Sequence, residues 1–140
     1  MIVLDTSVLY ALLDGRETRH GEAAAWYEAS REDLATTPLV VAELDHLAGA
    51  RAGRVAQQAA RADLAGGAYD VEWWASAAKE AVEVAESYAD LGVSLTDASL
   101  VALCARLGTE RIATFDGRHF RAMIPLTDEA AFVLLPADET

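Results

Sequence analysis

Asp5, Glu43, Asp97 and Asp116 are the residues of this chain whose types and spacing could do chemistry. They lie far apart in sequence, yet each sits where an α/β fold delivers a carboxylate to one edge of a parallel sheet. Asp5 ends the apolar run Met1-Ile2-Val3-Leu4, Asp97 opens the helical segment 98–107, and Asp116 follows Ile112-Ala113-Thr114-Phe115. Strand ends and helix starts meet at the carboxyl edge, where ligands of open α/β sheets bind. Carboxylates gathered there point to a metal-binding hydrolase site.

Each acid also has a purely structural explanation. In Asp5-Thr6-Ser7 any of the three can cap the helix that follows. Asp97, after Thr96, stands at a helix start, where negative charge complements the macrodipole, and Asp116-Gly117 reads as a turn. Glu43 is harder to explain this way. Leu39, Val40 and Leu47 lie at i−4, i−3 and i+4, so the helix is expected to turn this carboxylate along its core-seeking face. A carboxylate there needs a partner or a metal. Asp97 shares a face with Leu100, Val101 and Cys104 and is likewise expected to point inward.

The elements that must position these acids alternate between short β-prone runs and helical segments, the signature of βαβ units. Strands are expected at 2–4, 34–36, 68–71, 111–114 and, more weakly, 132–135. Helices are expected at 8–13, 21–30, 39–50, 55–64, 75–88 and 98–107. Thr37-Pro38 reads as cap and first-turn proline of the third helix, Gly66-Gly67 as a turn, and Gly108 as the stop of the sixth helix. The expected fold is α/β, a three-layer α/β/α sandwich around a parallel sheet of four to five strands. Trp73 and Trp74 cannot both face inward on one strand, so one is expected at an interface.

The 140 residues are 53% hydrophobic, which fits a single domain with one core. No apolar stretch is long enough to span a membrane and the N-terminus lacks the pattern of a signal peptide, so a cytoplasmic protein is expected. The one cysteine, Cys104, falls in a helical pattern and reads as a buried thiol. A net charge of −12 argues at first against a nucleic-acid partner. Divalent cations at the carboxylates would offset part of it and place positive potential where a phosphate sits. Basic residues also gather in three places, at Arg16, Arg19 and His20, at Arg51 and Arg54, and at Arg118, His119 and Arg121. Ordinary solvated surface charge explains each of them equally well.

The ordered combination of acids, with the words around them, resembles the PIN-domain ribonucleases. The words are Ile2-Val3-Leu4-Asp5-Thr6-Ser7, Val41-Ala42-Glu43-Leu44, Leu95-Thr96-Asp97-Ala98-Ser99-Leu100-Val101-Ala102 and Ala113-Thr114-Phe115-Asp116-Gly117-Arg118-His119-Phe120. Within that family the chain looks like a VapC-type toxin of a bacterial toxin–antitoxin pair. The resemblance implies an endoribonuclease dependent on Mg²⁺ or Mn²⁺, with Asp5 and Asp97 on the metal and Glu43 and Asp116 acting directly or through water. Hard oxygen ligands suit these ions, whereas zinc sites favour histidine and cysteine. It further implies activation of a water for in-line attack, products bearing a 5′-phosphate and a 3′-hydroxyl, and support of the cluster by Thr6, Ser7 and Thr96. Arg118 and Arg121 are candidates for contact with RNA phosphate. A cognate antitoxin that occludes the groove is implied as partner, with Leu9, Leu12, Leu13, Trp26, Leu44 and Leu47 as a candidate wall; homodimers are common in the family. Asp14 and Asp45 are left outside the site.

Two other readings compete. One is a PIN-like module that has lost activity and survives as a binding protein, against which the four intact acids argue. The other is a phosphotransfer domain, but the first strand lacks the Asp-x-Asp of haloacid-dehalogenase-like phosphatases, and the sole lysine, Lys79, precedes Asp97 rather than following a late strand.

Overall fold

Ile2–Leu4 forms the first strand, β1, and all three of its residues are buried. A strand covered on both faces shows no polar alternation, which is the mark of a parallel sheet between helical layers. The computed structural model describes residues 1–139. After β1 come α1 (Thr6–Leu13), α2 (His20–Ala29), β2 (Leu34–Thr36), α3 (Pro38–Leu47), a π-helical turn (Ala48–Ala52), α4 (Arg54–Ala65) and β3 (Asp70–Val71). The second half contains α5 (Ala77–Ser87), a 3₁₀ turn (Ala89–Leu91), α6 (Leu95–Leu107), β4 (Arg111–Ala113), α7 (Arg118–Ala122) and β5 (Val133–Leu135).

The five strands are all parallel, in the order β3-β2-β1-β4-β5. The chain walks outward from β1 to β3, then returns to lay β4 on the other side of β1. Right-handed crossovers place α1 to α4 on one face of such a sheet and α5 to α7 on the other. This is the expected three-layer sandwich, with five strands. The direction of travel reverses between β1 and β4, and the crevice at the carboxyl ends of those two strands is where such sheets bind ligands. Val3 pairs with Ile112 and Leu4 with Ala113, so Asp5 and Thr114 emerge side by side.

Large side chains from both layers meet at the sheet, among them Ile2, Leu4, Leu100, Leu103, Ile112, Phe120 and Leu135. Cys104 is buried there as expected, and burial pushes its thiol well above the ordinary range. Pro38 opens α3 and Gly108, at φ 67°, closes α6, also as expected.

Several boundaries move for physical reasons. The third helix stops at Leu47 rather than continuing to residue 50, because the small residues of Ala48-Gly49-Ala50 give way to a wider turn ending at Gly53, whose φ is 99°. A Cβ at Gly49 would lie 2.7 Å from Gln57 Nε2, so this turn packs tightly on α4. Helix α6 starts at Leu95, three residues before the expected 98, because Ser94 caps it. Helix α7 was not expected. The tryptophans follow β3 rather than forming part of it: Trp73 is exposed, while Trp74 is half-buried beneath the Arg106 guanidinium.

Candidate active site

Asp5 leaves the end of β1 in extended conformation and becomes the N-cap of α1. Its Oδ1 accepts the Thr6 backbone N–H at 2.8 Å. Its Oδ2 accepts two hydroxyls, from Ser7 at 2.9 Å and from Thr114 at 2.7 Å. Each hydroxyl has one proton and both are committed to Oδ2, so the 3.2 Å approach of Ser7 to Thr114 involves no shared proton. Both hydroxyl oxygens still accept, Ser7 from the Phe115 N–H at 2.9 Å and Thr114 from the Asp116 N–H at 3.0 Å. The loop carrying Asp116 therefore hangs from the Asp5 carboxylate through two side chains.

Asp97 stands in the first turn of α6, and its backbone N–H donates to Ser94 Oγ at 3.1 Å. The helix explanation of this acid is thus partly right. Its carboxylate nevertheless faces the cleft, and its Oδ2 lies 3.2 Å from His119 Nδ1. The Thr37 hydroxyl, free of any capping bond, lies 2.8 Å from Ser99 Oγ and ties α3 to α6. That contact fixes the spacing between the helix bearing Glu43 and the helix bearing Asp97.

The four acids line one cleft of about 400 Å³ together with Thr6, Ser7, Tyr10, Glu17, Arg19 and Arg51. Asp5 is on the floor, 5% exposed, and Asp97 is half-buried. Glu43 and Asp116 are exposed at the rim. The expectation that Glu43 faces the core is thus corrected. The face it shares with Leu47 borders the open cleft, where its side chain is exposed.

Negative charge accumulates here. Burial drives the Asp5 pKa up to about 6, Asp97 adds to the rise, and the Thr114 and Ser7 hydrogen bonds oppose it. Burial also raises Asp97, where Asp116 and Glu43 push the same way and His119 pushes back. Both shifts mean that the folded protein disfavours the ionised carboxylates, chiefly through lost hydration.

Of the supporting residues expected, Ser7 bonds Asp5 directly. Thr6 contributes only its backbone N–H, since its hydroxyl oxygen is buried in the cleft wall with no hydrogen-bond partner. Thr96 lies outside the cleft lining and offers its carbonyl to Ser99. Sequence reasoning missed Thr114, although a hydroxyl residue two positions before an acid at a strand end is a recognised loop-closing signal. It also missed Ser94, despite the Ser-x-x-Asp cap pattern. Asp14 and Asp45 do stand apart, bonded to Arg16 and Arg61. Arg118 lies outside the cleft lining, and Arg121 is bound through two nitrogens to Asp138 at 2.8 and 2.6 Å. Of the expected apolar wall, Leu9, Leu12, Leu13 and Leu44 line a second cavity of about 380 Å³ with Tyr27 and Tyr69. Trp26 instead belongs to the core, and Leu47 to the acidic cleft.

The sequence matches the PIN domain family over residues 2–124. The chain belongs to the PIN domain family. It is 36% identical to ribonuclease VapC26 of Mycobacterium tuberculosis over 126 residues, covering 89% of this chain and 93% of that protein. The fold superimposes on the crystal structure of Mycobacterium tuberculosis VapC20, a sarcin–ricin loop cleaving toxin, with a TM-score of 0.79. Identity there is 28%, over 84% of this chain and 92% of VapC20. A more distant likeness is to PAE2754 from Pyrobaculum aerophilum, with a TM-score of 0.53 and 27% identity over 82% of this chain and 80% of that one.

The cluster of this PIN domain fits a divalent cation by its chemistry. Every acidic donor is a hard oxygen, burial holds Asp5 back from ionising, and the buried hydroxyl of Thr6, a residue of the cleft lining, has no hydrogen-bond partner among the described residues. Among the described residues no group of three or more histidine, cysteine, aspartate or glutamate side chains is placed to hold a metal ion. Mg²⁺ keeps several of its waters and needs only one or two carboxylates from a protein.

Proposed function

We propose that this chain is a ribonuclease toxin of the VapC type, a metal-dependent endoribonuclease that hydrolyses RNA phosphodiester bonds and is neutralised by a cognate antitoxin. The observation that carries the metal-dependent reading is the gathering of four sequence-distant carboxylates on one cleft at the β1/β4 switch point, with the ionised form of Asp5 disfavoured. In this reading Asp5 and Asp97 hold Mg²⁺ or Mn²⁺, and Glu43 and Asp116 act directly or through water. The bound ion would supply an activated water for in-line attack and charge stabilisation at the leaving oxygen.

The remaining work belongs to the chain itself. Thr114 and Ser7 orient the Asp5 carboxylate and fix the loop that carries Asp116. His119 holds one oxygen of Asp97, leaving the other toward the cleft. The rim acids Glu43 and Asp116 accept protons from, or orient, water entering from solvent. Products would carry a 5′-phosphate and a 3′-hydroxyl.

We further propose that the 140 residues act as one domain in the cytoplasm, as a homodimer in the VapC manner. No helix among the described residues is long and apolar enough to cross a membrane. Leu44, at the apolar cavity, lies one helical turn before Leu47, at the acidic cleft, so an antitoxin segment crossing α3 would meet both.

Since VapC20 is described as cleaving the sarcin–ricin loop, that hairpin is the first substrate to try. Purified protein should cut it, or a total RNA preparation, in Mg²⁺ or Mn²⁺ and not in EDTA. Asp5→Asn, Asp97→Asn and Glu43→Gln should each abolish cleavage in folded protein. Absent cleavage by folded wild type would favour the inactive binding module instead, and cleavage that persists in EDTA would remove the metal from the reading.

A further inference from the structure

Building on the ribonuclease reading, we infer that the RNA strand flanking the scissile phosphate runs over Arg51 and Arg19, on the α1/π-turn side of the cleft, and not over Arg118 and Arg121. An anionic polymer entering a cleft walled by carboxylates needs cationic side chains that line that cleft and keep N–H groups free to donate. Among the described residues only two arginines line the cleft, Arg19 and Arg51. Arg51 is exposed on the π-helical turn, and among the described residues its guanidinium has no hydrogen-bond or ion-pair partner. Arg19 is partly engaged. Its guanidinium carbon lies 4.1 Å from the centre of the Phe115 ring, and its Nε and Nη2 bond Glu22 at 3.1 and 3.0 Å. The N–H groups of Nη1 are left over, on a planar group whose orientation is fixed by a ring on one side and a carboxylate at its edge.

The position of Arg51 is built rather than incidental. Its backbone carbonyl accepts Arg16 Nη2 at 2.6 Å. Arg16 in turn bonds the carboxylate of Asp14 at 3.1 Å, and the buried Asp14 accepts the Tyr10 hydroxyl at 2.7 Å. The Arg16 hydrogen bonds, with Tyr10 adding, hold the Asp14 carboxyl well below the usual range, which favours the ionised form of this tie. It fastens the loop after α1 to the π-helical turn across the mouth of the cleft. Departures from α-helical geometry of this kind occur often at functional sites. On the opposite side, the Arg121 guanidinium is consumed by Asp138, which also accepts the Leu134 N–H at 2.7 Å.

The test is binding of a labelled sarcin–ricin hairpin and of an unstructured RNA, in Ca²⁺ with the RNA verified intact, over a series of salt concentrations. Arg51→Gln and Arg19→Gln should each weaken binding about tenfold and lower the slope of log affinity against log salt by about 0.7 to 1. Arg51→Lys should retain the slope, and Arg118→Gln and Arg121→Gln should bind as wild type does. Unchanged affinity and slope in the Arg51 and Arg19 variants, or losses confined to Arg118 and Arg121, would overturn the inference. Wild type that fails to bind either RNA would overturn it as well. Wild type that binds through Arg51 and Arg19 yet cuts nothing in Mg²⁺ or Mn²⁺ would leave the inference standing and remove the hydrolytic reading. Cleavage that persists at full rate in the two variants would do the reverse.

Discussion

Asp5, on the floor of the cleft, is 5% exposed and answers to three hydrogen-bond donors, whereas Glu43, on its rim, is exposed and answers to none among the described residues. Both are carboxylates at the same cavity, but one is buried and the other faces solvent. For Asp5 the loss of hydration outweighs three favourable hydrogen bonds, and the net result is a raised pKa. A side chain at the rim keeps its water and its neighbours are screened. The floor thus stores unfavourable electrostatic energy that a cation would release. Strain at a site of this sort is held in place by the rest of the fold, here by the β1/β4 pairing that brings Asp5 beside Thr114.

The largest effect expected from this difference is a pH-dependent gain in stability from Asp5→Asn in metal-free protein. The folded pKa of Asp5, about 6, is above its ordinary value of 3.8, so the native state holds this proton more tightly than the unfolded chain does. Its contribution to stability is complete below pH 3.8 and is lost as pH rises through about 6. Relative to wild type, Asp5→Asn should therefore gain steadily from pH 4 to pH 7, by up to roughly 3 kcal/mol, less whatever its imperfect hydrogen bonds cost. Denaturant melts in EDTA at stepped pH measure the difference. A difference that stays flat across that range would mean that the floor is not strained. Mg²⁺ should stabilise wild type by about 2.7 kcal/mol at a hundredfold excess over its dissociation constant, and the variant far less.

Thr114→Val sharpens the comparison by leaving the charge and removing its support. The substitution deletes the hydrogen bond to Asp5 and the acceptor for the Asp116 N–H. Bonds to charged groups contribute about 1.5 to 3 kcal/mol, so a loss on the order of 2 kcal/mol is expected at pH 8, with less at pH 4, where Asp5 is neutral. Ser7→Ala removes the parallel pair of bonds at a less buried position and should cost less. Equal losses at both pH values would show that Thr114 stabilises the loop alone and not the carboxylate.

The floor was also the more legible region. Ile2-Val3-Leu4 followed by Asp5, and the run from Arg111 to Ala113, are local signals, and a parallel sheet makes their carboxyl ends neighbours by topology alone, although Thr114, which emerges there, was missed. The rim depended on distinctions that periodicity cannot make. The pattern around Glu43 places it beside Val40 and Leu47, but Leu47 borders the cleft, and a helical repeat does not separate a core-facing stripe from a cleft-facing one. Helix α7 was missed because it spans five residues, of which only Phe120 is buried, packed edge-on against Phe132 at 6.1 Å between ring centres. That is a tertiary contact with no local trace. The Arg16–Asp14–Tyr10 tie escaped for the same reason: its members are near in sequence, but their common target, the Arg51 carbonyl, is set by the π-helical turn.

The smallest stability effects belong at the rim, where they separate catalysis from folding most cleanly. Glu43→Gln and Asp116→Asn replace solvated carboxylates by amides of the same shape, and surface changes of that kind alter stability within about 0.5 kcal/mol. Neither should reproduce the pH-dependent gain of Asp5→Asn. Their effects on cleavage should nonetheless diverge. Glu43→Gln should abolish it, while Asp116→Asn should leave a reduced rate, because Asp116 can act through water and its backbone position is held by Thr114 whichever side chain it carries. Paired melts and single-turnover cleavage with Mg²⁺ check both halves of the expectation. A gain in stability at Glu43→Gln as large as that at Asp5→Asn would mean that the rim carries the same strain as the floor, and the contrast between the two regions would be lost.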